Sequence, residues 1–281
     1  MENVEEYIKA NDLQTRDACD VIEEFTDEIY RMRGRCIDIG CGPGTFSKNF
    51  LLPKLHPDSV LIGADVSKQM IKYARKTCTD EDRMDFVELD IETAKIPATE
   101  IGRYDNALSF YCLHWIQNPR RAYENIYQLL QPGGKVVITF LTFNSGFQAY
   151  LKLSEDPKYK SYMKDVRKFI PPTLTYNNVR AELKKMLEET GFEVIHCSNR
   201  EKTFVYKSMK ILKNHVRAVN PFLHRMPDNV AEEYMTDLVR EIVNEKIICI
   251  NKNNLNKEEY SILDKYQVLV AYFKKPLNTD N

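Results

Sequence analysis

The chain has 281 residues, with 40 basic and 41 acidic side chains and a formal net charge of −1. This balance gives no electrostatic reason to expect binding to nucleic acid or to an anionic membrane. No apolar run approaches the ~18–20 residues that span a bilayer, and the acidic N-terminus does not resemble a secretory signal. The seven cysteines are scattered, with no C-x-x-C or Cys/His cluster, so we expect reduced thiols, a cytoplasmic location and no metal site.

The N-terminal segment, residues 1–34, predicts helix with a break near Asn11 and Asp12, because apolar residues recur at helical spacing on both sides of it. Gln14 lies between the two apolar faces and precedes the first strand, so it could fold back over the mouth of a cofactor site. From the residues alone, a solvated glutamine on a helix surface is the better interpretation of Gln14.

A short apolar run at residues 36–39 predicts a buried parallel strand, and glycines at alternate positions follow it. Gly40 allows a sharp turn, and Gly42 allows a ligand to approach the backbone without meeting a Cβ atom. The spacing is D-x-G-x-G-x-G rather than the G-x-G-x-x-G of dinucleotide-binding proteins. The carboxylate of Asp38 suits a cationic group, such as the amino group of S-adenosylmethionine. An ordinary glycine turn beside a solvated aspartate is the alternative.

Acidic residues end the next two predicted strands. Asp65 closes the strand at residues 59–65, where a carboxylate can accept hydrogen bonds from both hydroxyls of a ribose. Val66 then follows at a position suited to packing on an adenine face. Asp90 comes after the strand at residues 84–89 and could accept a hydrogen bond from the adenine amino group. A turn aspartate is an equally good interpretation of Asp90 alone.

The fourth predicted strand covers residues 104–112, and the single tryptophan of the chain, Trp115, follows it directly. Ligands bind near such strand ends in doubly wound sheets, although a core aromatic is normally the better interpretation of a tryptophan. A helix beginning at Pro119 and a fifth strand at residues 135–143 complete an alternating β-α order. This order predicts a parallel sheet with helices on both faces.

The pattern changes after Asn144, where aromatic-rich helical segments are interrupted by two predicted strands at residues 192–206 and 260–273. One of the helices is expected over residues 230–250. The predicted fold is therefore α/β and Rossmann-like: a doubly wound, mostly parallel seven-stranded sheet with an antiparallel C-terminal hairpin and a helical lid insertion. We expect a single domain over residues 1–281, with a cofactor-binding core at 35–143, a substrate lid at 144–190 and 207–257, and C-terminal strands at 192–206 and 258–273.

Several stretches together carry a family resemblance. They are LQTRDA at 13–18, DIGCGPG at 38–44, DVS at 65–67, LDIE at 89–92, SFYCLHWI at 109–116, FIPP at 169–172 and AVNPF at 218–222. The chain resembles class I S-adenosylmethionine-dependent methyltransferases and, more narrowly, the arthropod juvenile hormone acid methyltransferases (farnesoic acid O-methyltransferases). The resemblance implies S-adenosylmethionine as cofactor, with Asp65, Asp90, Ile91 and Phe110 among its contacts.

The resemblance also implies that Gln14 and Trp115 hold the carboxylate of an isoprenoid acid such as farnesoic acid or juvenile hormone acid. A carboxylic acid ionises near ~4.3, so it is already a nucleophile at pH 7 and needs neither a general base nor a metal. Two alternatives remain open: a methyltransferase for another apolar acid, and a carrier that binds isoprenoids without turnover. The acid is the expected partner; nucleic acid and a membrane span are not expected, and a homodimer is compatible with the sequence.

Overall fold

The computed structural model describes residues 4–244, 246–252 and 258–277. Within them, the strands form one sheet in the order β3-β2-β1-β4-β5-β8-β6, and β7 pairs with β8 outside this path. Strands β1 to β5 run parallel, whereas β8 runs antiparallel to β5, β6 and β7. The strands are β1 Arg35–Ile39, β2 Val60–Asp65, β3 Met84–Glu88, β4 Tyr104–Phe110, β5 Leu130–Phe143, β6 Glu193–Tyr206, β7 Ile247–Lys252 and β8 Glu258–Lys274. The α/β fold with an antiparallel C-terminal part is confirmed.

Helices cover both faces of the sheet. They are α1 Val4–Lys9, α2 Asp12–Glu24, α3 Thr26–Tyr30, α4 Lys68–Thr77, α5 Pro119–Leu129, α6 Ser145–Ser154, α7 Val179–Thr190, α8 Met209–Ala218 and α9 Asp228–Asn244. Residues alternate along each strand, so Ile37 joins the core beneath α5 and α7, while its neighbour Cys36 joins the core beneath α2 and α3. The break at Asn11 that separates α1 from α2 is as predicted.

A third apolar cluster lies under the segments that follow β5. It joins helices α6, α8 and α9 to the ends of β6 and β8 through aromatic side chains such as Phe147, Phe222 and Tyr234. These helices therefore pack against the far half of β8 rather than against the parallel strands. Within the described residues, no helix combines the length and the apolar character that crossing a membrane requires.

The structure differs from the predicted elements at the C-terminal end of α9. The sequence predicts helix up to Ile250, but α9 ends at Asn244 and residues 247–252 form β7, an eighth strand paired with β8. The run from Ile247 to Ile250 is rich in β-branched residues, and pairing with β8 decides in favour of strand. After the glycine loop, a π-helical turn at Ser47–Leu51 is followed by a short 3₁₀ turn at Leu52–Lys54. Part of the predicted lid, residues 253–257, lies outside the described residues.

Candidate active site

The carboxyl ends of β1, β2, β3 and β4 surround a cavity of about 350 Å³, here called the strand-end cavity. Parallel strands bring these ends to one edge of the sheet, which is where ligands bind in doubly wound folds. Six predicted site residues line it on the sheet side: Gly40, Gly42, Asp65, Val66, Asp90 and Ile91. Trp115, Lys168, Phe169 and Pro221 close the opposite side. The structure thus brings together most of the residues predicted to bind a nucleoside.

The glycine loop leaves its backbone open toward this cavity. Gly42 has a φ of +55°, and a Cβ atom added there would meet only Tyr7, at 3.9 Å from Cε1. Gly40, with a φ of +79°, has a different reason to be glycine: an added Cβ would lie 2.3 Å from Cys112 Sγ. Gly40 therefore allows the end of β4 to approach the loop, while Gly42 allows a ligand to approach the backbone.

Asp65 links the glycine loop to the start of α4. Its Oδ2 atom accepts a hydrogen bond from the Gly42 N–H at 3.0 Å, and its Oδ1 atom accepts one from the Ser67 N–H at 2.8 Å. Each carboxylate oxygen keeps a further lone pair, so the hydroxyl groups of a ligand in the cavity can still donate hydrogen bonds to Asp65. Burial raises the pKa of Asp65. Val66, beside it, is 65% exposed and offers an uncovered apolar face.

The loop after β3 is fixed to the loop after β4. Asp90 is exposed, and its Oδ1 accepts a hydrogen bond from the Glu92 N–H at 2.8 Å, whereas Ile91 is buried. The Glu92 carboxylate accepts hydrogen bonds from the backbone N–H groups of Gln117 at 3.2 Å and Asn118 at 2.5 Å. These bonds hold the segment containing Trp115 against the cavity wall.

Asp38 and Phe110 do not reach the strand-end cavity. Both line a separate pocket of about 30 Å³ between the glycine loop and α2, here called the loop pocket. Asp38 is buried and accepts a 2.5 Å hydrogen bond from Ser47 Oγ; burial raises its pKa to about 6. Phe110 packs against Phe46, with ring centroids 5.5 Å apart. Gly40 lines both spaces, so the glycine loop separates them.

A third space, the lid cavity, lies between α2 and the helices after β5 and measures about 80 Å³. Trp115 lines both this cavity and the strand-end cavity, while Gln14 lines this cavity and the loop pocket. The walls are mostly apolar and come from α6, α8 and α9: Phe147, Tyr150, Leu212, Val216 and Ile242. The two predicted catalytic residues therefore face one apolar space that adjoins the larger cavity.

Three polar or charged groups complete the lid cavity. His114 is 4% exposed, burial lowers its pKa to about 3, and its Nδ1 has no hydrogen-bond partner among the described residues. His215 places Nδ1 2.9 Å from the carbonyl oxygen of Ala10. Asp264 forms a buried ion pair with Lys246. At neutral pH the two imidazoles, with lowered pKa values, are uncharged.

Sequence reasoning missed two tyrosines. Tyr7 in α1 and Tyr111 after β4 each line all three spaces. Burial, followed by the charge of Asp65, raises the pKa of Tyr7 to about 12. Tyr111 has a φ of +55°, which is rare for a residue with a Cβ atom. Its position near the end of the strand predicted at residues 104–112 was visible in the sequence, whereas nothing near Tyr7 indicated that α1 folds over the glycine loop.

Tyr111 also anchors the helix that carries Gln14. Its hydroxyl donates a 2.5 Å hydrogen bond to Asp17, which lies one turn after Gln14 in α2, and Tyr266 in β8 donates a second at 2.7 Å. Arg16 pairs with the same carboxylate at 2.8 Å. Burial alone would raise the pKa of Asp17, but these hydrogen bonds lower it. Helix α2 is thus tied to β4 and β8 by one ionised carboxylate.

Two of the three spaces, the strand-end cavity and the loop pocket, fit the parts of S-adenosylmethionine in their chemistry. Carboxylate acceptors and an uncovered apolar side chain face the strand-end cavity, as a ribose and a base require. The loop pocket holds the acidic Asp38, which suits an ammonium group. No group of His, Cys, Asp or Glu side chains in the described part of the chain is arranged to hold a metal ion.

The chain is similar to known methyltransferases. Residues 10–197 match the family described as "Methyltransferase domain". The juvenile hormone acid O-methyltransferase of Drosophila melanogaster is 34% identical over 273 residues, which cover 96% of this chain and 91% of the relative. That of Bombyx mori is 34% identical over 279 residues, which cover 98% of each chain.

Among solved structures, the fold resembles phosphoethanolamine N-methyltransferase 2 of Haemonchus contortus, in a complex with phosphomonomethylethanolamine and S-adenosylhomocysteine. The TM-score is 0.54 at 17% identity, over 93% of this chain and 53% of that chain. At this identity the likeness concerns the fold alone. The family match and the two insect relatives go further: the chain belongs to the juvenile hormone acid O-methyltransferase family of class I S-adenosylmethionine-dependent methyltransferases, and S-adenosylmethionine is its cofactor.

Proposed function

We propose that this protein methylates the carboxylate of an isoprenoid acid, such as farnesoic acid or juvenile hormone acid, to give its methyl ester. One observation carries the proposal: Gln14 and Trp115 line an apolar cavity beneath the lid helices, and Trp115 also lines the cavity suited to the cofactor. The names of the two insect relatives support the same class of acid.

The cofactor contacts follow from the acceptors and apolar groups at the strand ends. Asp65 would hold the ribose hydroxyls, because it lines the cavity and each of its oxygens accepts only one hydrogen bond within the protein. Val66 and Ile91 would pack on the base, and Asp90 would accept from its amino group. In the loop pocket, Asp38 would hold the amino group of the cofactor, with Phe110 packed beside it.

The two donors are suited to a carboxylate that must stay reactive. When bound, S-adenosylmethionine supplies an electrophilic methyl group. Gln14 donates from an amide and Trp115 from an indole N–H, and both are neutral. They can orient a carboxylate without neutralising it, whereas a bidentate arginine would stabilise the ground state strongly. The apolar walls exclude water, and the geometry supplies the orientation on which the rate depends.

The experiment that tests this function is incubation of the protein with methyl-labelled S-adenosylmethionine and a panel of acids. The panel contains farnesoic acid, juvenile hormone acid, an isoprenoid acid one unit shorter, a fatty acid and an aromatic acid. We expect labelled methyl ester from the two long isoprenoid acids, with a sharp fall in kcat/KM for the shorter acid. Equal rates across the panel would favour a general apolar-acid methyltransferase, and tight binding without label transfer would favour a carrier.

Two substitutions test the roles of Gln14 and Trp115. Gln14→Ala removes the amide, and Trp115→Phe keeps most of the apolar bulk while removing the indole N–H. Each should lower kcat/KM with little effect on cofactor affinity, since a lost hydrogen bond is worth ~0.5–1.5 kcal/mol and misalignment adds to it. The double variant should lose less than the sum of the two, because both changes misalign one carboxylate. Full activity of Trp115→Phe, or full additivity, would contradict a shared carboxylate.

The remaining parts of the proposal concern the domain boundaries, the location of the protein and its oligomeric state. We propose a single methyltransferase domain whose lid comprises residues 144–190 and 207–257, because helices from both ranges line the lid cavity. The scattered free cysteines support a cytoplasmic location. A homodimer and the absence of nucleic-acid binding stay predictions, which light scattering and a gel-shift assay would test.

A further inference from the structure

We propose that His114 is a third residue that binds the substrate carboxylate, donating a hydrogen bond from Nδ1–H beside Gln14 and Trp115. The inference rests on the proposed function, because it assigns a role within the same site. It adds a neutral donor from the imidazole to the amide and indole donors already described.

The Nδ1 atom of His114 is buried and has no hydrogen-bond partner among the described residues. Four buried side-chain polar atoms lack a hydrogen-bond partner among the described residues: Gln14 Oε1, Arg35 Nε, His114 Nδ1 and Thr139 Oγ1. Two of the four, on Gln14 and His114, belong to side chains that line the lid cavity. Buried polar atoms are nearly always paired, so two unpaired atoms around one space indicate a missing polar ligand. Turning the Gln14 amide by 180° would place its NH2 group at the same point, so this side chain can donate there as well.

Packing explains why an aromatic ring lies at this position, but it does not explain why the ring carries a buried nitrogen without a hydrogen-bond partner. The ring centroid of His114 lies 4.8 Å from that of Trp115, 6.1 Å from that of Tyr111 and 6.3 Å from that of Phe147. A phenyl ring would make similar contacts without burying an unpaired polar atom, which costs free energy. The nitrogen is therefore accounted for by a ligand that enters the cavity.

The second histidine of the cavity provides a comparison within the same structure. His215 also lines the lid cavity, but its Nδ1 lies 2.9 Å from the carbonyl oxygen of Ala10 and so has a partner in the protein. It holds α8 to the end of α1, a structural role. His114 has no such partner among the described residues, and it precedes Trp115 directly, so both side chains extend from one short turn.

The charge state of the His114 imidazole also suits a carboxylate ligand. His114 is 4% exposed, and burial lowers its pKa to about 3, so the ring is neutral at the pH of the reaction. A neutral imidazole carries one N–H and can donate to a carboxylate without forming an ion pair. A carboxylate has about four lone-pair sites, which is enough for three donors while one site stays free to react.

Two variants separate hydrogen bonding from packing. His114→Phe keeps the ring and removes the donor, so kcat/KM for farnesoic acid should fall about tenfold or more, as expected when a hydrogen bond to a charged group is lost. His114→Asn keeps an N–H near the position of Nδ1 and should stay within about threefold of the wild type. Phe147→Leu changes only apolar bulk against the same ring, and because Phe147 also lines the lid cavity its kcat/KM should fall as well, but by less than that of His114→Phe. An equal fall in the two variants would assign the loss to packing and overturn the proposal. The affinity for S-adenosylmethionine, measured by calorimetry, should be the same in the wild type and both His114 variants.

A spectroscopic measurement on the wild-type protein keeps the test decisive if His114→Phe does not fold. In protein labelled with ¹⁵N-histidine, saturation with farnesoic acid should move the His114 Nδ1–H proton signal downfield and slow its exchange with water. Methyl farnesoate, which lacks the charged oxygen, should produce a smaller shift. A signal that is unaffected by the acid, or equal activity of His114→Phe and wild type, would overturn the assignment of His114 while leaving the proposed function intact. Lack of turnover by the wild-type protein would instead refute the proposed function.

Discussion

Asp17→Asn should destabilise the protein strongly, although Asp17 lines none of the three cavities. The carboxylate is 1% exposed. Its Oδ2 accepts hydrogen bonds from the hydroxyls of Tyr111 at 2.5 Å and Tyr266 at 2.7 Å, while Oδ1 pairs with Arg16 at 2.8 Å and Lys202 at 3.0 Å. Four groups, one each from α2, the end of β4, β6 and β8, therefore depend on one ionised side chain.

The magnitude follows from the number of bonds. A hydrogen bond to a charged group contributes about 1.5–3 kcal/mol, and an asparagine keeps one acceptor oxygen while turning an NH2 group toward the other pair of donors. We expect a loss of about 3 kcal/mol at pH 7, a large part of the 5–15 kcal/mol that stabilises a typical domain. Because the hydrogen bonds lower the pKa of Asp17 in spite of burial, the folded state favours the ionised form, and removing the charge must destabilise it.

Urea unfolding at several pH values measures this effect, with Asp20→Asn as the matched control. Asp20 lies in the same helix and pairs with the same lysine, Lys202, at 2.6 Å, but its side chain is 57% exposed. An exposed pair is worth about 0–1 kcal/mol, so the control should change little. A carboxyl whose folded pKa lies below its ordinary value of 3.8 stabilises the protein above that pH. The difference between wild type and Asp17→Asn should therefore be constant from pH 7 to pH 5 and shrink below about pH 4. A loss under about 1 kcal/mol, or an equal loss in Asp20→Asn, would refute this account of how α2 is held.

Three further predictions concern cofactor binding and the dependence of the reaction on metal ions. Asp65→Ala should weaken binding of S-adenosylmethionine at least about tenfold in calorimetry, because two ribose hydrogen bonds at about 1.5–3 kcal/mol each are lost; an unchanged affinity would place Asp65 outside the site. Burial raises the pKa of Asp38 to about 6, so the carboxyl is protonated at lower pH and cannot hold an ammonium group. Cofactor affinity should fall about tenfold from pH 7 to pH 5, and Asp38→Asn should lose most of this dependence; a wild-type affinity independent of pH would contradict it. A chelator should leave the rate unchanged, and restoration of lost activity by one divalent ion would contradict the absence of a metal site.

The cofactor half of the fold could be predicted because its signals are local. The strand before Gly40, the glycine at position 42 and the acidic strand end at Asp65 lie within one β-α-β unit. Their meeting at one edge follows from parallel pairing alone. Asp38 lies in the strand before the loop, as predicted, but the sequence does not predict its separation from the strand-end cavity. That separation depends on the glycine loop passing between the two spaces, which sequence spacing does not specify.

The parts that sequence reasoning missed depend on contacts between distant segments. Tyr7 reaches all three spaces because α1 packs against α4 and α8, which follow it much later in the chain. Residues 247–250 are predicted as helix because the apolar spacing of α9 continues into them, whereas their pairing with β8 makes them part of a strand. Both cases follow from tertiary contacts that override a local pattern.

Strand β8 connects the two ends of the proposed reaction site. Near its middle, Tyr266 holds the Asp17 carboxylate and thereby the helix that carries Gln14. Two residues earlier, and so on the same side of the strand, Asp264 lines the lid cavity and pairs with Lys246. The C-terminal strand thus supports both the proposed carboxylate-binding residue Gln14 and the wall of the cavity proposed for the acyl tail. A methyltransferase core that only had to bind its cofactor would not need β8 to support both α2 and the lid cavity. An enzyme that must orient the carboxylate of a long apolar acid would need both supports.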